Sequence, residues 1–265
     1  MSLSQLNFEG KNRVQVSIAR LREFEPPEGY YFADSYGKDS SVVRALLQMS
    51  CVKYDGHYSR SGVDPQELII FGRNHHPETI IERPEMSIWQ GLDKKGLPRR
   101  QSRWCCELIK EQHGSGRRVV TGIRWQESPR RKRRHMTEIC HTDKTKVFLH
   151  PIIDWGVKDV WEFIHSRNIP YCSLYDELGS DGKPLFRRLG CILCPMESAK
   201  QTQIELKRFP KLSEAWKRAC YRYWQSGVHE GTKRWPDAEA MWKWWLSRKG
   251  EAKLNDTQCI MFDNF

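Results

Sequence analysis

One stretch, Tyr30-Tyr31-Phe32-Ala33-Asp34-Ser35-Tyr36-Gly37-Lys38-Asp39-Ser40-Ser41, constrains this chain more than any other. Its apolar start reads as a short strand. A polar turn around Gly37 follows, and then a helix with Val42, Val43, Leu46 and Leu47 at helical spacing on one face. Where a strand runs through a tight turn into a helix start, unpaired backbone N–H groups and the positive end of the helix point at one spot, which suits an anion. Gly37 lets the backbone approach such an anion closely. Lys38 adds a point charge, Ser35 and Ser40 add hydroxyls, and Asp39 is a candidate magnesium ligand. The plainer alternative is an ordinary strand-to-helix turn with a surface lysine and an aspartate cap. The spacing is not that of a Walker A loop.

An anionic partner also fits the bulk charge. Lys and Arg number 44 against 33 Asp and Glu, a formal net charge of +11 over 265 residues. No apolar run reaches the length of a membrane span, and the N-terminus lacks the apolar region of a signal peptide. The expectation is therefore a soluble, cytoplasmic protein with no membrane partner. In that setting nine cysteines point to metal ligation or redox chemistry before disulfides.

Residues from about 11 to 25 read as an amphipathic helix, with Val14, Ile18, Leu21 and Phe24 on its stripe and Pro26-Pro27 ending it. Strands are expected at Tyr30, Val52 to Tyr58, Thr79 to Glu82, Arg118 to Ile123 and Val147 to Leu149. Helices are expected after Asp64-Pro65, with Asp64 as cap, around Cys105 to Gln112, and after Asp154. The last of these carries Val157, Val160, Trp161 and Ile164 on one face. Short strands alternating with helices predict an α/β fold, a mostly parallel sheet in a three-layer α/β/α arrangement. Ligands in such sheets bind beyond the carboxyl ends of the strands, where the turns at Gly37 and Gly122 both fall. The last ~65 residues carry no strand signal and read as a helical appendage. The expected division is an N-terminal helix packed on the core (1–28), a nucleotide-binding α/β domain (29–200) and a Trp-rich helical appendage (201–265).

Cys105-Cys106 and the Cys-x-x-Cys at Cys191 and Cys194 make a candidate four-thiolate site. Such a set suits an iron–sulfur cluster or zinc. Adjacent cysteines suit a single zinc ion less well, because their side chains diverge, whereas a cubane cluster offers separate irons. The alternative is a packed pair and a loop dithiol. Cys51, Cys140, Cys172 and Cys220 read as structural.

Together these features resemble a known family. The Ser35–Ser40 turn resembles the PP-loop of enzymes that act at the α-phosphate of adenine nucleotides, with Tyr36 where that motif usually has Gly. The segment from about Glu23 to Met196 resembles the phosphoadenylyl-sulfate (PAPS) reductase family. Its motifs follow in order: the PP-loop, Cys105-Cys106, Gly122-Ile123-Arg124-Trp125-Gln126-Glu127-Ser128, Pro151-Ile152-Ile153-Asp154-Trp155 through Trp161, Leu174-Tyr175-Asp176, and Gly190-Cys191 to Cys194. The resemblance implies a Rossmann-like, adenine nucleotide α-hydrolase-like fold. It implies nucleotide binding by Ser35, Gly37, Lys38, Asp39, Ser40, Gly122, Arg124, Ser128 and Arg131, with Arg124 and Arg131 at the phosphate or sulfate end. Lys38 and Asp39 take the catalytic roles, Asp39 positioning Mg2+ when ATP is bound. Cys105, Cys106, Cys191 and Cys194 would ligate a [4Fe–4S] cluster, with zinc as the alternative.

The family's reductases carry a C-terminal catalytic cysteine in a Glu-Cys-Gly-Leu-His segment. Here Cys259 stands near that end with different neighbours. Two enzyme readings follow: sulfur transfer or nucleotide α-phosphate chemistry, in some relatives on tRNA or DNA, or a thioredoxin-dependent adenylyl-sulfate/PAPS reductase using Cys259. A third reading is a non-catalytic, zinc-containing nucleic-acid-binding module. The run Arg130-Arg131-Lys132-Arg133-Arg134 is a candidate contact for tRNA or DNA, or simply a solvated loop. Lys94, Lys95, Arg99, Arg100 and Arg103 form a second basic stretch. Lys233-Arg234-Trp235 and Trp242 to Lys249 interleave aromatics with cations, although Trp235, Met241, Trp242 and Trp245 fit a helical core seam better. A sulfur-donor protein is a further expected partner.

Overall fold

A computed structural model describes residues 10–227 and 235–248. Its frame is a six-stranded sheet in the order β3-β2-β1-β4-β6-β5. The strands are β1 (Tyr30–Ala33), β2 (Tyr54–Ser59), β3 (Ile80–Glu82), β4 (Arg118–Val120), β5 (Thr137–Ile139) and β6 (Val147–Leu149). All pairings are parallel except that of β5 with β6, which closes one edge. The order reverses between β1 and β4, so a crevice opens at their carboxyl ends, the usual place for a ligand in this architecture.

Alternation along β1 divides the core. Tyr30 and Phe32 face α1 (Arg13–Glu23), α2 (Lys38–Ser50) and α6 (Val157–Ser166). Val42, Val43, Leu46 and Leu47 of α2 are all fully buried there. Tyr31 and Ala33 face the other way, with Val119 and Phe148. A second large core joins α3 (Gln66–His75), α4 (Ile88–Lys95), α5 (Trp104–Ile109), α7 (Ala199–Arg208), α8 (Pro210–Ser226) and α9 (Ala238–Ser247). Met241, Trp242 and Trp245 of α9 are buried in it, which settles their role as packing. Among the described residues no helix is long and apolar enough to cross a membrane.

Several sequence expectations are corrected by contacts that spacing does not reveal. Asp64 does not cap α3: it accepts the Ser61 N–H at 2.8 Å, and Pro65 occupies the cap. Asp154 does not cap α6: it takes both Arg20 guanidinium nitrogens at 2.7 and 3.1 Å, while Gly156 is the cap and Asp159 accepts its N–H at 2.6 Å. Val157 is 40% exposed rather than on the core stripe. Helix α4 and strand β5 were not expected from the sequence at all.

Tyr36 carries the left-handed backbone of the PP-loop turn, at φ 60°, whereas Gly37 has an ordinary φ of −79°. A left-handed tyrosine costs about 1–3 kcal/mol. The ring offsets this by burying itself, stacked on Tyr58 at 4.1 Å and laid against Gly72 of α3. A Cβ on Gly72 would stand 2.2 Å from the Tyr36 ring. Gly72→Ala ought to stabilise an unhindered helix by about 0.5–1 kcal/mol. Here the clash dominates, and we expect a net loss of about 1–3 kcal/mol in denaturant unfolding. A more stable variant would show that the ring is not packed there.

Candidate active site

The turn between β1 and α2 is fixed from beneath. Asp34 is buried, accepts the Tyr36 N–H at 2.9 Å, and takes Arg44 Nη2 at 2.6 Å and His76 Nδ1 at 2.8 Å on its other oxygen. Arg44 also reaches Glu78 and Thr79. Within the turn, the Ser35 N–H donates to Ser40 Oγ at 3.1 Å, the two hydroxyls lie 2.7 Å apart, and the Gly37 N–H donates to Ser35 Oγ at 3.3 Å. The Lys38 N–H donates to the Tyr175 hydroxyl at 3.2 Å. The Asp39 and Ser40 N–H groups sit in the first turn of α2, where no intrahelical carbonyl is available to them.

Charge over the turn is balanced by one ionic set. Lys38 Nζ lies 3.0 Å from Asp39 Oδ2 and 3.2 Å from the Arg187 carbonyl. Arg124 Nε holds Asp39 Oδ1 at 2.7 Å, and Nη1 donates to the Trp155 carbonyl at 3.3 Å. Burial pushes the Asp39 carboxyl up, but Lys38 and Arg124 pull it down harder, so it stays ionised well below the usual carboxylate range. For Lys38 the burial penalty is outweighed by Asp39 and Tyr175, which keep the ammonium charged. Gly122 allows this closeness, since a Cβ there would stand 3.1 Å from Asp39 backbone and side-chain atoms.

A cavity opens above, lined by Ser35, Gly37, Lys38, Asp39, Ser40, Gly122 and Arg131 from the sequence-derived set. Two members of that set stand behind the lining. Arg124 is turned onto Asp39, and Ser128 Oγ accepts the Arg131 N–H at 3.1 Å. Thr121, Ile123, Glu127, Tyr175, Arg188 and Leu189 complete the lining without having been singled out as site residues. Glu127 is the organiser of this wall: it accepts the Arg124 N–H at 2.8 Å, pairs with Arg131, and lies 3.6 Å from Arg188. Lys38, Arg131 and Arg188 thus surround the space against two carboxylates, an arrangement matched to a tetrahedral oxyanion. The pair Arg187-Arg188 just before Gly190-Cys191 was the sequence signal for the missed arginine.

The four cysteines line a second cavity, with Cys105 and Cys106 from α5 and Cys191 and Cys194 from the loop before α7. The two cavities share a wall: Arg188 and Leu189 line the first, Gly190 and Cys191 the second. Burial and the neighbouring sulfurs push the Cys194 thiol up. Cys105 is raised first by its bond with Cys106 and then by burial. Lys110 faces this set: burial lowers its pKa, and Cys191, Asp64 and Cys106 raise it by more. Among the described residues no three His, Cys, Asp or Glu side chains gather closely enough to hold a metal ion, and no disulfide forms.

The Cys191–Cys194 loop is gripped by its surroundings. Leu193 takes a left-handed φ of 59°, and its N–H donates to Glu205 at 2.6 Å. Arg248 donates to the Leu193 and Cys194 carbonyls at 3.1 and 3.2 Å, Trp216 to the Ile192 carbonyl at 3.2 Å, and Arg100 to the carbonyls of Pro195 and Glu197, both at 3.0 Å. Arg100, half-buried, is therefore an anchor of this loop, and Arg103 is buried. In the basic run, Arg131 and Arg134 pair with Glu127 and Glu138, while Lys132 and Arg133 are exposed. Cys259, Lys233, Arg234 and Lys249 lie outside the described residues.

The family model of the phosphoadenosine phosphosulfate reductase domain matches residues 30–197. The chain belongs to that family. An uncharacterized protein of Methanocaldococcus jannaschii is 26% identical over 215 residues, covering 77% of this chain and 51% of that protein. A second uncharacterized protein of the same organism is 27% identical, covering 80% of this chain and 45% of that protein. The chain thus spans about half the length of these two relatives. Adenosine 5'-phosphosulfate reductase 2 of Bacillus subtilis is 28% identical over 186 residues, covering 64% of this chain and 74% of the reductase. Among solved structures, the PAPS reductase of Candida auris superposes with a TM-score of 0.47 at 17% identity, covering 66% of this chain and 94% of that one.

The support beneath the turn can be tested at Asp34. Its carboxyl is held below the ordinary 3.8, since burial pulls it up and His76 and Arg44 pull it down further. Its ionised form adds stability that is complete above that value and fades as the pH falls below it. We expect Asp34→Asn to lose about 3 kcal/mol at neutral pH, the low end for a broken buried pair because Glu78 still meets Arg44. Its loss of stability on acidification should also be shallower than that of the parent. An unchanged acid limb in urea unfolding would refute this role.

Proposed function

We propose that the chain is an enzyme that binds an adenine nucleotide in the PP-loop cavity and a [4Fe–4S] cluster on Cys105, Cys106, Cys191 and Cys194. It uses the nucleotide for sulfur transfer or α-phosphate chemistry. The observation that carries this reading is the shared wall: Arg188–Cys191 passes directly from the oxyanion-matched cavity to the four-thiol cavity. The thiol set suits a cluster because all four cysteines line one cavity. When bound, the cluster would supply Lewis-acidic iron and bridging sulfide beside the nucleotide site.

The chain's own groups have distinct tasks. Lys38 places its ammonium over the phosphates and stabilises the charge that develops as the α-phosphate bond breaks. Arg131 and Arg188, oriented by Glu127, grip the outer oxyanion. Asp39 is ionised, and magnesium arriving with ATP would compete with Lys38 and Arg124 for it. The family likeness to adenosine 5'-phosphosulfate reductases favours one second reading, reduction of a sulfonucleotide with Cys259 as nucleophile and thioredoxin as reductant. That reading requires sulfite formation abolished by Cys259→Ser, whereas the leading one requires pyrophosphate release from ATP.

The test is anaerobic purification with iron and sulfide analysis, and calorimetric titration with ATP and adenosine 5'-phosphosulfate. We expect about four irons per chain and micromolar nucleotide affinity. Cys191→Ser should lose iron while still binding nucleotide. Lys38→Ala should keep iron and lower turnover by about 100-fold or more. One zinc per chain with no nucleotide affinity would refute the proposal.

A further inference from the structure

A groove of about 660 Å3 runs between the turn Glu177–Arg188 and the start of α7. The turn is a fixed wall: Leu185 N–H donates to the Glu177 carbonyl and Gly179 N–H to the Lys183 carbonyl, both at 2.8 Å, while Arg208 holds the Glu177 carboxylate. Lys183, Arg187 and Arg188 line the groove from this side and Lys200 from α7. Two carboxylates oppose the four cations, and one of them, Asp181, lies 3.7 Å from Lys183. Arg188 also lines the nucleotide cavity, and Glu197, on the groove's other wall, also lines the cysteine cavity. The groove therefore starts where the two sites meet.

Its chemistry narrows the occupant. The volume is that of a ligand site and far too small for a duplex. No aromatic side chain lines it, so it offers no platform for stacking bases, but it offers a file of cations suited to phosphates. We propose that this groove holds the sugar–phosphate backbone of a single-stranded nucleic-acid acceptor and delivers it to the junction at Arg188. The basic run Arg130–Arg134 is less suited as a track, because Arg131 and Arg134 are committed to Glu127 and Glu138. The proposal rests on the reading of the PP-loop cavity as the nucleotide site, for it makes the groove the approach of the second substrate.

The experiment is fluorescence anisotropy with labelled single-stranded DNA and RNA of about 12 nucleotides, run beside ATP calorimetry on the same anaerobic protein. The variant Lys183→Ala/Lys200→Ala removes exposed side chains and leaves Arg188 and the Lys38-holding Arg187 in place. We expect at least about tenfold weaker binding of one or both oligonucleotides, whatever their base sequence, and unchanged ATP affinity. The log–log salt dependence should flatten by about 0.7 for each phosphate that the variant no longer neutralises. Equal oligonucleotide binding by variant and parent would overturn the proposal, as would failure of the parent to bind either one. It would also be overturned if inorganic phosphate competed as well as the oligonucleotide at equal phosphate concentration, which would mark a small phosphorylated occupant. Loss of ATP binding in the parent, with oligonucleotide binding still sensitive to the double variant, would defeat the nucleotide-site reading and leave the groove standing.

Discussion

Asp39, held between Lys38 and Arg124, is the interaction on which the rest of the site depends. It ties the turn after β1 to the turn after β4, the two strands between which the sheet order reverses. A carboxylate so little exposed would be costly alone. Two cations, one from each turn, make it stable and make the turns inseparable. Gly122 lets the two segments lie this close, since a Cβ there would stand 3.1 Å from Asp39 and push the turns apart. Lys38 gains a fixed position from this arrangement, since its ammonium is held by Asp39 and the Arg187 carbonyl before any ligand arrives. Positioning in advance is what lets a charge act on a transition state without a reorganisation penalty.

The same logic extends to the cysteines. A Cys-x-x-Cys loop has little structure of its own, and this one is shaped by hydrogen bonds that Arg100, Trp216 and Arg248 donate to its carbonyls and by the Leu193 N–H bond that Glu205 accepts. Three of these residues, Glu205, Trp216 and Arg248, belong to the C-terminal helices or their end. The Trp-rich appendage is thus a positioning device for the loop, as well as cover for α4 and α5. Lys110 lines both the thiol cavity and the small space beside Ser35.

What the sequence made legible was local. Tyr30 to Leu47 declares strand, turn and helix because the pattern change and the glycine are adjacent in the chain, and the five parallel strands and the cysteine spacing are readable for the same reason. What it hid was long-range. Asp64 and Asp154 look like caps until Ser61 and Arg20 compete for them. Arg124 looks like a ligand arginine, yet Asp39, 85 positions away, takes its guanidinium. Strand β5 has three residues and only β6 to define it, so neither periodicity nor propensity announces it. Tyr36 departs from the motif in a way that only its stacking on Tyr58 and its fit against Gly72 explain.

The most direct test of the nucleotide site is a crystal structure of the anaerobic protein grown with ATP and magnesium. The nucleotide phosphates should lie against the Asp39 and Ser40 N–H groups, between Lys38 and the Arg131–Arg188 pair, with Asp39 still bridged to Arg124. Phosphates bound elsewhere, with the turn over Gly37 empty, would contradict it.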